Sequence, residues 1–467
     1  MIRTIGYFAL VAFLYWLIIR WWLRRARRKN TIGIFHLYCS SGGGGERVLW
    51  HLVKILLEKY PKYTIYIYTQ KELHQDSLQI LLKARNLFKI DLLADDRALE
   101  RLEFVPLSLS PWIEAKKYPF LTLLFQNLIS VIVAFQAAYN IVPEVYFETI
   151  GFTFTLPVFK LAGSRIATYI HYPTISSDMI HNVETTTHAS YNNRQVFVRF
   201  PLLRQLKLVY YKLLVFLYGY AGRSADTVMV NSSWTQKHIE SLWSCKAVVV
   251  YPPCDVDSFK ALPLERFEER LSSKVGQSNL NIISIAQFRP EKNHQMQIEA
   301  FDMFMNRVKH SNDSQLTLYG GCRGAEDQKL VEYLRDLINR LDLSSRVSLV
   351  VNASFEELLD GLHEADVAIH TMVNEHFGIV MLEFMAAGLI TIAHNSGGPK
   401  ADIIDDQKNG FLCDDINDFA EKLALISKMS FQERQTIRKN AIEKSEKFSN
   451  ARFESSITKE LDAIMIS

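Results

Sequence analysis

The sequence predicts an α/β protein built from two doubly wound parallel sheets, with one membrane-crossing helix ahead of them. Three observations carry that expectation. Strand-like and helical segments alternate through the chain in two successive series, the pattern of parallel sheets covered by helices on both faces. The length of 467 residues exceeds what one hydrophobic core usually holds, so two domains are expected. Residues 5–23 form an apolar and aromatic run long enough to cross a bilayer, interrupted by Arg20 near its far end.

Composition narrows the class. With 48% hydrophobic and 22% charged residues the chain reads as an ordinary folded protein. A net charge of +3, with no basic-aromatic recognition motif, gives no reason to expect a nucleic-acid partner. The charge is local instead: Arg24, Arg25, Arg27, Arg28 and Lys29 follow the apolar run, and the positive-inside rule then places everything after residue 24 in the cytosol. A cleaved leader is the competing reading; it is disfavoured because the basic cluster follows the apolar run and no small-residue cleavage site is visible. Cys39, Cys245, Cys254, Cys322 and Cys413 are scattered without CxxC spacing, as reduced cytosolic thiols would be. No His/Cys/Asp cluster has metal-ligand spacing, so no essential metal is expected. Asn231, Asn312 and Asn352 each open an N-x-Ser sequon, which a cytosolic location would leave bare.

After the anchor and its basic flank (residues 1–30), residues 31–38 read as a strand running into Ser40, Ser41 and four glycines, Gly42 to Gly45, and then a helix over 46–60. Strand, glycine loop and helix is the geometry that brings backbone amides against a phosphate or sugar. It is no Walker loop, for no Gly-Lys-Ser/Thr follows, and it fits the dinucleotide fingerprint poorly. Further strands are expected at 63–68, 103–107, 144–147, 165–170 and 227–230, completing a first domain over 31–265. The second series, over 266–467, has strands at 281–286, 315–319, 347–351, 367–370 and 389–394, with helices from His294, over 327–340 and from Phe355, and a helical tail from about residue 431. The seam falls in the polar stretch 254–278. Residues 119–139 have the length of a membrane span, but Gln126, Asn127, Ser130 and Gln136 argue against one. Residues 198–220 mix Arg199, Arg204, Lys207 and Lys212 with apolar residues in a pattern suited to a headgroup layer or to a core helix.

The chemistry concentrates in the second half. Residues 368–398 run from a strand into a polar loop with Glu375 and His376, then into an apolar helix opened by Gly378, carrying Glu383 and stopped by Gly388. The eight-residue offset from Glu375 to Glu383 suits two contacts with one extended ligand better than a shared proton, and the amides of His376, Phe377 and Gly378 at the helix start favour an anion. Arg289 and Lys292 follow the first strand of this half, an arginine fork and a lysine point charge suited together to a diphosphate. From the first half, His171 ends the strand at 165–170. In an arrangement of two doubly wound domains, ligands bind at the carboxyl ends of the strands.

These residues carry a resemblance. EHFGIVMLE followed by MAAGLITIAHNSGGP, with FRPEKNH, YPPCDVDSF and VMVNSSWT, resembles the retaining, nucleotide-sugar-dependent glycosyltransferases of the GT-B fold, group 4. With GGGGERVLW, YIHYPTIS and HTMVNEHFG added, the chain from Thr31 onward looks like the endoplasmic reticulum GDP-mannose-dependent α-1,2-mannosyltransferases that extend dolichol-diphosphate-linked Man3GlcNAc2. The resemblance implies two Rossmann-like domains facing a cleft, GDP-mannose as donor, a dolichol-diphosphate-linked oligosaccharide as acceptor, and other mannosyltransferases of the pathway as candidate partners. It implies that Glu383 holds the ribose of GDP, Arg289 and Lys292 its diphosphate, and Gly43 and Gly44 its phosphate side. Glu375, with the backbone of His376, Phe377, Gly378 and Ile379, would orient the mannose, and His171 would contact the mannose or the acceptor. No cofactor or metal is implied. The loop Gly320 to Gly324, with Cys322 and Arg323, has no role carried over. A glycosidase would place its two carboxylates about 5 to 9.5 Å apart, closer than this spacing suggests, and would leave Arg289 and Lys292 without purpose. Another membrane-associated group 4 glycosyltransferase and an inactive subunit that kept the fold are the remaining alternatives.

Overall fold

The computed structural model of the protein describes residues 2–71, 77–175, 201–260, 279–308 and 313–466. The polar loop expected at 176–193, the start of the amphipathic stretch, the Asn312 sequon and most of the expected seam lie outside these. The chain divides into two compact units: Met1–Asn231 with Thr235–Tyr251 and Glu454–Ser467, and Ser232–Trp234 with Pro252–Phe453.

The first unit opens with helix Ile2–Ala26 and then alternates β1 (Thr31–Phe35), helix Gly44–Lys59, β2 (Thr64–Gln70), helix Ser77–Phe88, β3 (Leu102–Leu107), helix Thr122–Asn140, β4 (Val145–Glu148), β5 (Arg165–Ile170), helix Pro201–Gly222, β6 (Thr227–Val230), helix Ser233–Trp243 and β7 (Val248–Val249). The strands form one parallel sheet in the order β3-β2-β1-β4-β5-β6-β7. Central strands are buried on both faces: every residue of β1 and β4 is buried, as expected of short β-branched and aromatic runs covered by helices on either side. Tyr146 and Phe159 stack with ring centroids 3.8 Å apart at the middle of this core.

The second unit repeats the plan with β8 (Asn281–Ile285), helix His294–Arg307, β9 (Gln315–Gly320), helix Ala325–Arg340, β10 (Val347–Val351), helix Phe355–Glu364, β11 (Val367–His370), helix Ile379–Ala386, β12 (Ile390–His394) and β13 (Phe411–Cys413). All pairs are parallel, in the order β10-β9-β8-β11-β12-β13. Helix Phe355–Glu364 starts where its sequence says it should. Ser354 Oγ accepts the Glu357 N–H at 3.2 Å and Glu357 Oε2 accepts the Ser354 N–H at 2.7 Å, a reciprocal cap.

The C-terminal tail departs from the sequence reading. Helix Asn450–Ile466 was expected within the second domain, but its residues from Glu454 on belong to the first unit. Tyr60 Oη donates to Asp462 at 2.6 Å, Lys59 pairs with Glu454 at 3.0 Å, and Arg165 donates to the carbonyls of Ile464 and Met465 at 2.6 and 2.8 Å. Those carbonyls lack intrahelical partners at a helix end, and the guanidinium supplies them. Nothing in the tail's own charge pattern names its distant partner.

β4 ends in Glu148, 1% exposed. Its Oε1 accepts the N–H groups of Ile150, Gly151 and Phe152 at 3.0, 2.8 and 2.9 Å, so one carboxylate turns the chain out of the sheet. Burial dominates its titration and pushes the carboxyl up to about 7, with the three N–H bonds acting the other way. A folded-state pKa above the ordinary 4.5 contributes stability that is full below 4.5 and lost as pH rises through 7. Glu148→Gln keeps an acceptor oxygen and removes the charge. Its stability relative to the parent protein should therefore rise between pH 5 and 8, by up to about 3 kcal/mol in urea unfolding; a difference independent of pH would refute the assignment.

Candidate active site

The strand order of the second sheet reverses at the pair β8 and β11. Connections leave that pair toward opposite edges, and the loops after the two strands part at their carboxyl ends, where doubly wound sheets hold ligands. Lys292 lies on the loop after β8 and Glu375 on the loop after β11. Lys292 Nζ donates to Glu375 Oε2 at 2.5 Å, and His370 Nε2, at the end of β11, donates to the same oxygen at 3.0 Å. Glu375 is 9% and His370 1% exposed. A second link fastens the loops: Thr371 Oγ1 lies 3.0 and 2.9 Å from the carbonyls of Lys292 and Asn293, and Gln297 Nε2 donates to it at 3.0 Å.

Burial alone would raise the Glu375 carboxyl. The hydrogen bond and charge of His370, with those of Lys292, outweigh it and hold the group well below the usual carboxylate range. The site therefore keeps an anion at its floor through the physiological range. His294, which opens the next helix, is lowered to about 4, chiefly by burial, with the electrostatic effect of the neighbouring His370 and Lys292 adding to it and a backbone hydrogen bond opposing it.

The Glu375 loop rests on the glycine turn after β12. Gly397 has φ +63, and a Cβ there would stand 2.2 Å from the Glu375 carbonyl oxygen. Gly398 N–H donates to that oxygen at 2.7 Å, and the Asn374 N–H donates to Ser396 Oγ at 2.7 Å. Gly378, with φ +96, then caps helix Ile379–Ala386. Glycine suits both positions because L side chains avoid this backbone region, and at Gly397 the backbones also nearly touch.

The other expected residues of this unit take definite places. Glu383 and Ile379 are half-buried on helix Ile379–Ala386, one turn apart, while Phe377 is buried with its ring 5.8 Å from that of Phe448. His376, half-buried, lies between Glu375 and Phe377 on the same loop. Arg289 is half-buried in extended backbone just before the turn Pro290–Lys292 and takes no part in the Glu375 cluster. Gly320 to Gly324 form a scaffold: Asn352 Oδ1 accepts the Cys322 N–H at 2.8 Å, and Asp327 Oδ2 accepts the Arg323 N–H at 2.9 Å. His370 was missed from sequence. The signal was present, since it ends a strand just as His171 does.

In the first unit the same kind of site forms at the pair β1 and β4, where the order of the first sheet reverses. Gly43 precedes helix Gly44–Lys59, and its N–H donates to Glu46 Oε2 at 2.6 Å. Glu46 Oε1 lies 3.4 Å from His36 Nε2, whose other ring nitrogen is 2.9 Å from Thr149 Oγ1 after β4. Burial would raise the Glu46 carboxyl, but the hydrogen bond and charge of His36 and the bond from Gly43 bring it below its ordinary value. The His171 ring lies 4.9 Å from that of Tyr169, and its Nε2 stands 3.6 Å from where a Cβ on Gly45 would be. Asn231 Nδ2 donates to the His171 carbonyl at 2.9 Å. The strand-end histidine and the glycine loop, far apart in sequence, thus meet within one unit. His36 and Glu46 were not singled out from sequence.

Comparison with known proteins agrees with this architecture. Residues 29–243 match the family model described as ALG11 mannosyltransferase N-terminus, and residues 265–444 match Glycosyl transferases group 1. The chain is 41% identical over 455 residues to the mouse protein named GDP-Man:Man(3)GlcNAc(2)-PP-Dol alpha-1,2-mannosyltransferase, covering 94% of this chain and 89% of that one. Proteins of the same name from human and Dictyostelium discoideum are 41% and 38% identical, each over 92% of this chain and over 86% and 84% of their own length. Among solved structures, Anabaena Alr3699/HepE in complex with UDP and glucose superposes with a TM-score of 0.60 at 17% identity, covering 92% of this chain and 99% of that one. Sucrose-phosphate synthase from Thermosynechococcus elongatus does so with 0.63 at 16%, covering 94% and 100%. These structures share the fold, two parallel-sheet α/β domains of the GT-B kind, and the sequence relatives place the protein more narrowly: the chain belongs to the ALG11 family of GDP-Man:Man(3)GlcNAc(2)-PP-Dol alpha-1,2-mannosyltransferases.

Proposed function

We propose that the protein is a retaining α-1,2-mannosyltransferase that moves mannose from GDP-mannose to a dolichol-diphosphate-linked oligosaccharide, Man3GlcNAc2 and then Man4GlcNAc2, in N-glycan precursor assembly. The observation that carries this reading is the Lys292–Glu375–His370 cluster at the reversal point of the second sheet, in a chain whose relatives bear that activity in their names.

In this reading Glu383 accepts hydrogen bonds from the ribose hydroxyls of GDP, and Arg289 and Lys292 hold the diphosphate. Glu375 occupies one donor of Lys292; a lysine has three, so the ammonium bridges carboxylate and phosphate. As the bond from mannose to phosphate breaks, charge grows on the β-phosphate, and these cations with the amides of His376, Phe377, Gly378 and Ile379 stabilise it without reorganising. Glu375, held ionised, orients the mannose hydroxyls. Gly43 and Gly44 approach the phosphate side, and His171 contacts the mannose or the acceptor. The acceptor hydroxyl attacks from the side of the leaving group, and the phosphate takes its proton. The reaction as read needs no metal; among the described residues no group of three or more His, Cys, Asp or Glu is arranged to hold one.

We further propose that helix Ile2–Ala26 crosses the endoplasmic reticulum membrane and that the remainder is cytosolic. The helix is about 37 Å long by its rise per residue, and Tyr15, Ile18 and Trp21 along it are 66, 62 and 62% exposed. Helix Pro201–Gly222 adds a second lipid-facing surface, with Leu206, Val209, Leu213, Phe216 and Tyr220 exposed at three- and four-residue spacing. Other mannosyltransferases of the pathway are candidate partners.

Transfer assays with GDP-mannose and defined lipid-linked acceptors test this reading. Glu383→Ala should mainly raise the KM for GDP-mannose, because a ribose contact is made equally in ground and transition states, whereas Glu375→Ala should mainly lower kcat. Equal KM effects from both would overturn the division of roles.

Arg289→Ala and Lys292→Ala should each cost at least about ten-fold in kcat/KM, on the order of 1.4 kcal/mol. Lys292→Ala and Glu375→Ala together should cost less than the sum of the two, since each single change leaves a buried partner unpaired. Chelator should leave transfer intact; loss of activity restored by one divalent ion would refute the metal-free reading.

Topology is read most cleanly at Asn352, which is exposed, because Asn231 is 5% exposed and bonded to His171. Glycosidase digestion of the protein from eukaryotic membranes should not change its gel mobility. A shift abolished by Asn352→Gln would place this unit in the lumen.

A further inference from the structure

The VMVNSSWT motif spans the end of β6 and the start of helix Ser233–Trp243, and its residues Ser232–Trp234 belong to the second unit. Three contacts fasten this short segment beside the Glu375 loop. Ser232 Oγ donates to the His376 carbonyl at 2.7 Å, the Trp234 ring lies 5.6 Å from the His376 ring, and Asp402 Oδ2 accepts the Ser233 N–H at 2.9 Å. Asp402 lies in the helical turn Pro399–Ile403, directly after Gly397 and Gly398, so the segment is tied to the glycine turn as well. Ser232 itself is fully buried.

A hydrogen bond to a carbonyl fixes more than the carbonyl. The peptide group is planar and here trans, so holding the His376 oxygen on Ser232 holds the Phe377 N–H on the opposite side. Gly398 makes room for the same peptide: a Cβ there would stand 2.6 Å from the His376 oxygen and 2.7 Å from the Phe377 Cα. The preceding peptide is treated alike, since the Gly398 N–H donates to the Glu375 carbonyl at 2.7 Å and thereby sets the direction of the His376 N–H. Two successive amides are each aimed from behind. The aim matters because a hydrogen bond weakens steeply once its angle falls below about 120°. The Ser232 hydroxyl also polarises the peptide it holds, strengthening its N–H as a donor by roughly 10 to 30%.

We propose that Ser232 is a positioning residue for mannose transfer, its hydroxyl aiming the Phe377 amide at the charge that grows on the departing phosphate. This rests on the reading that the amides of the Glu375 loop face that phosphate. An amide aimed in advance needs no reorganisation during the reaction, so loosening it falls on the transition state and leaves donor affinity nearly unchanged. Ser232 acts through the peptide and not on the substrate.

The test uses the full chain in mixed micelles of detergent and phospholipid, with GDP-mannose and a lipid-linked Man3GlcNAc2 acceptor. Ser232→Ala removes the hydroxyl, and Ser232→Cys keeps a weak donor in nearly the same volume. kcat should fall about ten-fold in Ser232→Ala, short of the roughly hundred-fold cost of deleting an oxyanion donor, because the amide is loosened and not removed. Ser232→Cys should lose about three-fold, and the KM for GDP-mannose should stay within about two-fold of the parent in both. Should the buried alanine fail to fold, the cysteine carries the test.

Hydrogen exchange of the peptide 371–381, followed by mass spectrometry with and without saturating GDP-mannose, separates this proposal from the reading beneath it. Donor should slow exchange of the loop in the parent chain, and less so in the Ser232 variants. Protection in the parent together with parental kcat in the variants would overturn the role of Ser232 and leave the amide reading intact. Absence of protection in the parent would remove the amide reading and this proposal with it. A KM that rises at constant kcat would mean that Ser232 only shapes the donor pocket, and that too overturns the proposal.

Discussion

The second unit's site depends on one buried ion pair. Lys292 and Glu375 come from the loops after β8 and β11, paired strands whose onward connections part, and Thr371 is the other residue that ties those loops together. A carboxylate at 9% exposure is costly unless charge and hydrogen bonds answer it. Lys292 and His370 answer it at 2.5 and 3.0 Å, and the two loops are thereby held at one spacing. The glycines follow from the same constraint. With Glu375 fixed, its backbone presses on the turn after β12, and Gly397 and Gly398 are the residues that let it.

The first unit solves the same problem with different groups. β1 ends near His36 as β11 ends at His370, and that histidine meets a glutamate further along the chain in both units, one in the first turn of a helix and one in a loop. In the second unit the glutamate faces a lysine; in the first it turns back to hold the Gly43 amide. A parallel sheet leaves polar groups at the carboxyl ends of its central strands, partly sheltered from water. Histidine suits the position because its two nitrogens can serve two partners at once. His36 does so between Glu46 and Thr149.

Much of this was legible. Alternation of short buried strands with helices is a local property, written in period and composition, and β5, β6, β10 and β11 fall where the sequence puts them. β7 and β13, two and three residues long, were not read, because so short a run has no pattern of its own. Glu375 stood out by its spacing from Glu383 in an apolar helix beside a glycine turn, and Lys292 by its pairing with Arg289 in the loop after a strand. His36, Glu46 and His370 did not, because a histidine at a strand end and a glutamate in a first helical turn are each commonplace until they meet.

From sequence alone came the class of the protein, its family, and the residues most worth attention, because hydrophobic period, glycine loops and motif spacing are recorded residue by residue. Tertiary structure alone decided which of them touch. Lys292 and Glu375 are 83 positions apart, His36 and Thr149 113, and Arg165 and Ile464 299. It also decided that helix Thr122–Asn140 has one face in a core and one outside it. Contacts at such separations are set by strand order and by burial of the whole sheet, quantities that no local window of sequence contains.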